Sequence, residues 1–292
     1  MKILNFGSLN IDLVFRVDHI ILPGETLSGG DVEYFAGGKG ANQSVALSKA
    51  GAEVFHGGKI GEDGRWLLDK LNSYGVNTDF VKVYDGPSGQ AIIQLTPRGE
   101  NSIILSAGGN RKIEEKDIEQ TLSSFSEGDY LVLQNEINGT EGIIRRAREK
   151  GMRICINPAP FDSSILSWPL DLVDILIVNE HEGAGLAGAS GAFEEILDKL
   201  TRLFPGKDIV MTAGVEGAYY GCDDERIHVP AVKADAVDTT AAGDTFLGYY
   251  LAARIDGTDV RKAMEMAAEA SAVTVSRPGA MDSIPFAAEL KD

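Results

Sequence analysis

The chain has 292 residues, 43% of them apolar and 24% charged, and carries a formal net charge of −17. That length suits one large α/β unit with a small appendage, with surface enough to bury a core that needs no staples. The acidic balance argues against a nucleic-acid partner, whose phosphate backbone demands Lys and Arg in excess. It leaves room for a mononucleotide held by backbone N–H groups, one or two cations and Mg²⁺.

The chain opens with a buried strand over 2–6, ending at Gly7. Asn5 and Asp12 interrupt any hydrophobic leader, and no run approaches the roughly 20 apolar residues of a membrane span, so a cytoplasmic location is expected. Residues 11–35 have strand character, with turn signals at Pro23-Gly24 and Gly29-Gly30. Residues 37–50 read as a glycine-rich turn feeding a helix, 54–56 as a short strand and 63–74 as a helix. Strand signals return at 80–83, 91–95 and 102–105, the last two joined by the turn Arg98-Gly99-Glu100-Asn101. Helices are then expected at 113–125, 139–150 and 193–204, and strands at 130–133, 153–156, 175–178 and 209–212. Cys155 falls in one of these strands and reads as a small buried hydrophobe.

Short apolar strands alternating with amphipathic helices indicate a three-layer αβα core on a mostly parallel sheet. Residues 10–36 and 86–106 break this rhythm. Both are rich in strand and turn signals, so they are expected to pair as a small β lid over the carboxyl ends of the main strands, where open α/β sheets bind ligands. The whole chain then forms one domain, 1–292.

Five segments carry candidate chemistry. In Gly37-Gly38-Lys39-Gly40-Ala41-Asn42-Gln43 a glycine pair lets a ligand approach the backbone, with Lys39 and Asn42 at a helix start; a tight turn alone would account for it equally. It is not a P-loop, because no Gly-Lys pair here is followed by Ser or Thr. Asn10 and Asp12 lie two apart on an extended segment, so they share a face and suit adjacent hydroxyls, unless they merely end a strand. Asn179-Glu180-His181-Glu182 follows a strand and could organise Mg²⁺ through waters or simply cap a helix. In Asp238-Thr-Thr-Ala-Ala-Gly-Asp244, Ala242, Gly243 and Asp244 open a helix. Their N–H groups suit an anion, and the Asp244 carboxylate suits a hydroxyl proton. The glycines of Met211-Thr212-Ala213-Gly214-Val215-Glu216-Gly217 could let a nucleotide lie against the backbone.

Taken together, these segments resemble the ribokinase-like, phosphofructokinase-B-type carbohydrate kinases along nearly the whole chain. The resemblance rests on Gly37-Gly38-Lys39-Gly40-Ala41-Asn42-Gln43, on Asp238-Thr-Thr-Ala-Ala-Gly-Asp-Thr-Phe and on Asn157-Pro158-Ala159-Pro160. It implies an αβα core, a β lid used for homodimerisation, and ATP, Mg²⁺ and a monovalent cation, usually K⁺. The implied reaction is phosphorylation of a small sugar, ribose first; fructose, 2-keto-3-deoxygluconate or a nucleoside are the alternatives, as is a silent sugar-binding regulator. By the same resemblance, Asn10, Asp12, Gly38, Lys39, Asn42 and Glu136 contact the sugar, with Ala91 and Ile93 facing it from the lid. Asp244 is the base, and Ala242 and Gly243 form the anion hole. Asn179, Thr212, Gly214, Glu216, Gly217, Gly243 and Ala268 line the nucleotide, and Glu182 serves Mg²⁺. Asp238, Thr240, Thr274, Arg277, Gly279 and Ser283 match the monovalent-cation loops, several of them through backbone carbonyls. The strings Gln134-Asn135-Glu136-Ile137-Asn138 and Ser106-Ala107-Gly108-Gly109-Asn110, both near the sugar end, depart from the usual family pattern.

Overall fold

Every residue of the first strand, β1 (Ile3–Phe6), is buried, which requires cover on both faces of the sheet that holds it. The structure, a computed structural model, describes residues 1–28 and 30–290. Gly29, half of the Gly29-Gly30 turn signal, lies outside the described residues.

After β1 come β2 (Asn10–Arg16), β3 (Glu33–Gly37), α1 (Lys39–Lys49), β4 (Val54–Gly61), α2 (Arg65–Ser73), β5 (Asn77–Tyr84), β6 (Gly89–Leu95) and β7 (Asn101–Ser106). The alternating half follows: α3 (Glu115–Leu122), β8 (Tyr130–Leu133), α4 (Thr140–Glu149), β9 (Arg153–Ile156), β10 (Ile175–Asn179), α5 (Glu180–Ala187), α6 (Phe193–Leu203) and β11 (Asp208–Thr212). The chain closes with β12 (Ala218–Cys222), β13 (Glu225–Val229), α7 (Ala242–Ile255) and α8 (Val260–Val275).

Among the described residues, nine strands form the main sheet, in the order β13-β12-β11-β10-β9-β8-β1-β4-β5. Pairing is parallel from β5 to β11 and antiparallel at the β11-β12-β13 edge. Alternate strand residues feed two cores. Ile3, Val132 and Cys155 pack with α1, α2, α7 and α8, whereas Leu4, Leu131, Leu133 and Ile154 pack with α3, α4 and α6. These are the two helical layers of an αβα sandwich.

The expected short strand at 54–56 extends to Gly61, because β5 pairs along its full length apart from one bulge between Phe55 and Gly57. The β12–β13 edge hairpin was not anticipated. Its strands, Ala-Tyr-Tyr-Gly-Cys and Glu-Arg-Ile-His-Val, pair antiparallel and lack the continuous aliphatic run that marks the parallel strands.

β2, β3, β6 and β7 form the separate small sheet, in the order β3-β2-β6-β7. Its registers define two faces. One row runs Phe35–Asp12–Ala91–Leu105 and the next Tyr34–Leu13–Ile92–Ile104, on the opposite face. The first row carries Asp12, whose carboxyl feels the Glu136 charge from the end of β8. That face therefore looks toward Glu136; on the opposite face Ile11 is buried in the main core with Leu13 packed against it, and Tyr34 and Ile104 beyond them are exposed.

Candidate active site

Two helix starts meet at the carboxyl end of the main sheet. α1 begins directly after β3, and Gly40 in its first turn lies against the end of β1. A Cβ on Gly40 would stand 2.4 Å from the Ser8 amide nitrogen and 2.6 Å from Gly7, so only glycine lets α1 seat there. α7 crosses α1 as closely. A Cβ on Gly248 would come within 2.4 Å of the Ala46 methyl and 2.7 Å of the Leu47 nitrogen. Gly248 and Ala46 each lie one turn beyond Asp244 and Asn42, so this crossing sets the spacing of the polar groups above it.

There Asn42 Nδ2 donates to Asp244 Oδ2 at 3.1 Å and Gln43 Nε2 to Asp244 Oδ1 at 2.9 Å. Asp244 is buried, and Asn42 Oδ1 is buried without a partner. The half-buried Lys39 lies close by, and its pKa is raised, chiefly by the Asp244 charge. Ala241, just before α7, adopts a left-handed conformation at φ 61°. A non-glycine residue there carries strain of the kind that gathers at functional sites. The Ala242 amide, expected to be free, donates to Thr239 O at 3.3 Å because the 239–242 turn closes on it. Gly243 faces open space where a side chain would be, and Ser271 Oγ holds the Ala242 carbonyl from α8 at 3.0 Å.

The lid side converges on the same place. Glu136 accepts from Ser8 Oγ and, at 3.0 Å, from the Lys39 amide, so its charge faces the start of α1. Burial, with Glu136 nearby, pushes the Asp12 carboxyl up to about 7. Asn10 accepts from Asn110 Nδ2 at 2.7 Å, and Asn110 Oδ1 takes the Leu9 amide at 3.0 Å. Asn110 thus clamps the crossing from core to lid. Ala91 pairs with Asp12 and Ile93 with Val14, placing both lid residues on the face that carries Asp12.

The nucleotide-side candidates lie one and two strands further along. Asn179 and Glu182 form a reciprocal capping box at the start of α5. Glu182 Oε2 accepts the Asn179 amide at 2.9 Å and Asn157 Nδ2 at 3.2 Å, and its Oε1 accepts Asn179 Nδ2 at 2.9 Å. Burial raises the Glu182 pKa against these donors. Thr212 ends β11, and Gly214 and Glu216 form the turn that leads through Gly217 into β12. Ala268 is buried in α8.

The cation-loop candidates are drawn together only in part. Asp238 bridges two loops, accepting the Thr240 amide at 2.9 Å and the Gly279 amide at 3.0 Å. Thr274 Oγ1 instead pairs with Thr245 Oγ1 at 3.0 Å, tying α8 to α7 beside Asp244. Arg277 turns to Glu289 at 3.0 Å, and Ser283 donates within its own loop to Ala280 O.

Among the described residues, no three His, Cys, Asp or Glu side chains group to hold a metal. Glu182 Oε2 already takes two donors, whereas Oε1 takes one and retains a lone pair. This donor set fits a divalent ion kept mostly in water and phosphate oxygens rather than a protein cage.

A family model for the pfkB carbohydrate kinases matches residues 1–287. The chain belongs to the pfkB family of carbohydrate kinases. It is 34% identical over 288 residues to the ribokinase of Haemophilus influenzae, covering 96% of this chain and 94% of that protein. Among solved structures, the ribokinase of Cryptococcus neoformans in complex with ADP superposes with a TM-score of 0.85 at 32% identity, covering 99% of this chain and 97% of that one. The Arabidopsis thaliana ribokinase complexed with ribose and ATP gives 0.84 at 28% identity, covering 97% and 95%. The pfkB chain is a ribokinase-type sugar kinase in sequence and fold. Among the described residues, no helix is long and apolar enough to cross a membrane.

Five residues outside the expected set join this site: Asn5, Gln43, Gln134, Asn157 and Asn110. All but Asn5 stand inside the motifs named above. Their signal was a buried amide beside a motif residue, which a search for charges and glycines does not weigh.

Proposed function

We propose that this kinase transfers the γ-phosphoryl group of ATP to a hydroxyl of D-ribose, giving D-ribose 5-phosphate. The observation that carries the reading is the meeting of the two family segments at one carboxylate. Asp244 in the first turn of α7 is gripped by Asn42 and Gln43 of α1. The sugar hydroxyl gives its proton to Asp244 as its oxygen bonds to phosphorus, and the γ-phosphoryl bond to the ADP oxygen breaks. The start of α7, with Gly243 open and the helix dipole behind it, faces the charge that develops on the phosphoryl oxygens.

Asn10 and Asp12, with Gly38, Lys39, Asn42 and Glu136, hold the sugar hydroxyls, and Ala91 and Ile93 close over it from the lid. The partnerless Asn42 Oδ1 suits a hydroxyl donor. The triphosphate approaches a site with four carboxylates, Asp12, Glu136, Glu182 and Asp244, and one ammonium, Lys39. Mg²⁺ would offset that repulsion, with Glu182 and Asn179 ordering its waters. Thr212, Gly214, Glu216, Gly217 and Ala268 would line the nucleotide. The all-oxygen set of the loops pinned by Asp238 suits a monovalent cation such as K⁺, which would steady the start of α7. The outer lid face, with Tyr34 64% and Ile104 61% exposed, supports a homodimer packed lid to lid.

A panel of ribose, 2-deoxyribose, fructose, 2-keto-3-deoxygluconate and nucleosides, read by ATP consumption and product mass, tests the assignment. Ribose is expected to lead. A pair built for two adjacent hydroxyls should disfavour 2-deoxyribose by a factor on the order of 10² or more. If ribose is inert while another member of the panel turns over, ribose is not the substrate.

A further inference from the structure

Asp244 is the end of a chain of buried amides. Asn5, Gln43 and Gln134 are each 0% exposed, and Asn157 joins them at the end of β9. An amide can offer a neighbour either its oxygen or its NH₂, so its orientation has to come from partners that have no choice.

Both ends of this chain have such a partner. At one end Asn5 Nδ2 donates to the Gly40 carbonyl at 2.8 Å, and a carbonyl only accepts. Asn5 therefore shows its oxygen to Gln134, whose Nε2 donates to it at 2.9 Å and to Gln43 Oε1 at 2.6 Å. With its oxygen occupied, Gln43 must present its NH₂ outward. At the other end Asn157 Nδ2 donates to the Ile177 carbonyl at 3.0 Å, so Asn157 shows its oxygen to Gln43. The two ends agree. One Gln43 N–H goes to Asn157 Oδ1 at 3.0 Å and the other to Asp244 Oδ1 at 2.9 Å. The chain is polarised toward Asp244 by backbone carbonyls that cannot reverse.

We propose that Gln43 is a positioning residue of the phosphoryl transfer, holding Asp244 Oδ1 so that the carboxylate stays aimed while Oδ2 changes partner from Asn42 to the substrate hydroxyl. The inference rests on Asp244 being the base. A donor fixed on one oxygen denies the side chain a second rotamer. Asn157 also donates to Glu182 at 3.2 Å. Among the described residues, Gln43 is thus the one side chain that bonds both Asp244 and the amide bracing the nucleotide-side carboxylate.

Single-turnover phosphoryl transfer, followed by rapid quench with the sugar the panel selects, tests this on the full chain. Gln43→Met should slow transfer about tenfold to a hundredfold with the sugar KM little changed. Gln43→Glu, isosteric but setting a second carboxylate against Asp244, should slow it at least as much. Melting curves establish that the variants fold; if Gln43→Met does not, Gln43→Asn, too short by one methylene to span the gap, carries the same expectation. A folded Gln43→Glu that transfers at near-parental rate, or a loss that falls in KM rather than in the transfer rate, overturns the proposal, because packing alone would then account for Gln43. Full turnover in Asp244→Asn would instead remove the base assignment, so the two failures are distinguishable.

Discussion

Replacing Asp12 with Asn should stabilise the free protein by an amount that grows with pH. Asp12 lies on the inner face of the lid sheet, paired with Ala91, and its carboxyl is pushed from 3.8 to about 7 by burial first and by Glu136 second. An acid whose pKa is higher in the folded than in the unfolded state binds its proton more tightly when native. The stability this gives is complete below the unfolded value and is lost as pH rises through the folded one. A shift of about three units corresponds to at most about 4 kcal/mol at roughly 1.4 kcal/mol per unit. Residual solvent at the partly buried carboxyl brings the expected gain in Asp12→Asn to about 2–3 kcal/mol. Urea unfolding at pH 4, 6 and 8 reads it directly. The gap between variant and parent should open from pH 4 to 7 and stay level above. A gap that is constant or narrows with pH would refute the reasoning. A site that tolerates such a cost without its ligand is built for binding rather than for stability.

Two further predictions concern the frame of the site. Gly248→Val would drive a side chain into Ala46 and the Leu47 backbone. It should cost about 1–3 kcal/mol in urea unfolding. It should also lower kcat by about a hundredfold, because Asp244 moves relative to Asn42 and Gln43; unchanged kcat would show that the helix crossing does not set the site. Ile104→Asp places a charge in the row of Tyr34, Leu13, Ile92 and Ile104, where Tyr34 and Ile104 are the most exposed. Light scattering should report a dimer for the parent and a monomer for the variant, and a monomeric parent would contradict the lid-to-lid assembly.

Much of this architecture was legible in the residues. Short apolar strands such as 130–133 and 153–156 require two helical layers, and the turn-rich stretches that break the rhythm form the separate sheet. The place of Asp244 in the first turn of α7 was legible because small residues run straight into an apolar helix. The amide chain was not, because Asn5, Gln43, Gln134 and Asn157 are far apart in sequence and none is charged. Only tertiary packing turns them into a network, and orientation within it depends on two backbone carbonyls. In the loops expected to hold a monovalent cation the side chains of Arg277 and Ser283 bond locally, the first to Glu289 and the second within its own turn, so ligation there would fall to backbone carbonyls, which residue types do not reveal.

The central claim is that Asp244 accepts the substrate's proton. The direct measurement is single-turnover transfer by Asp244→Asn alongside calorimetric sugar binding. The isosteric amide should fold, bind the sugar within a fewfold of the parent and lose transfer by a factor on the order of 10²–10⁴. Transfer at near-parental rate in a variant that still binds the sugar would contradict it.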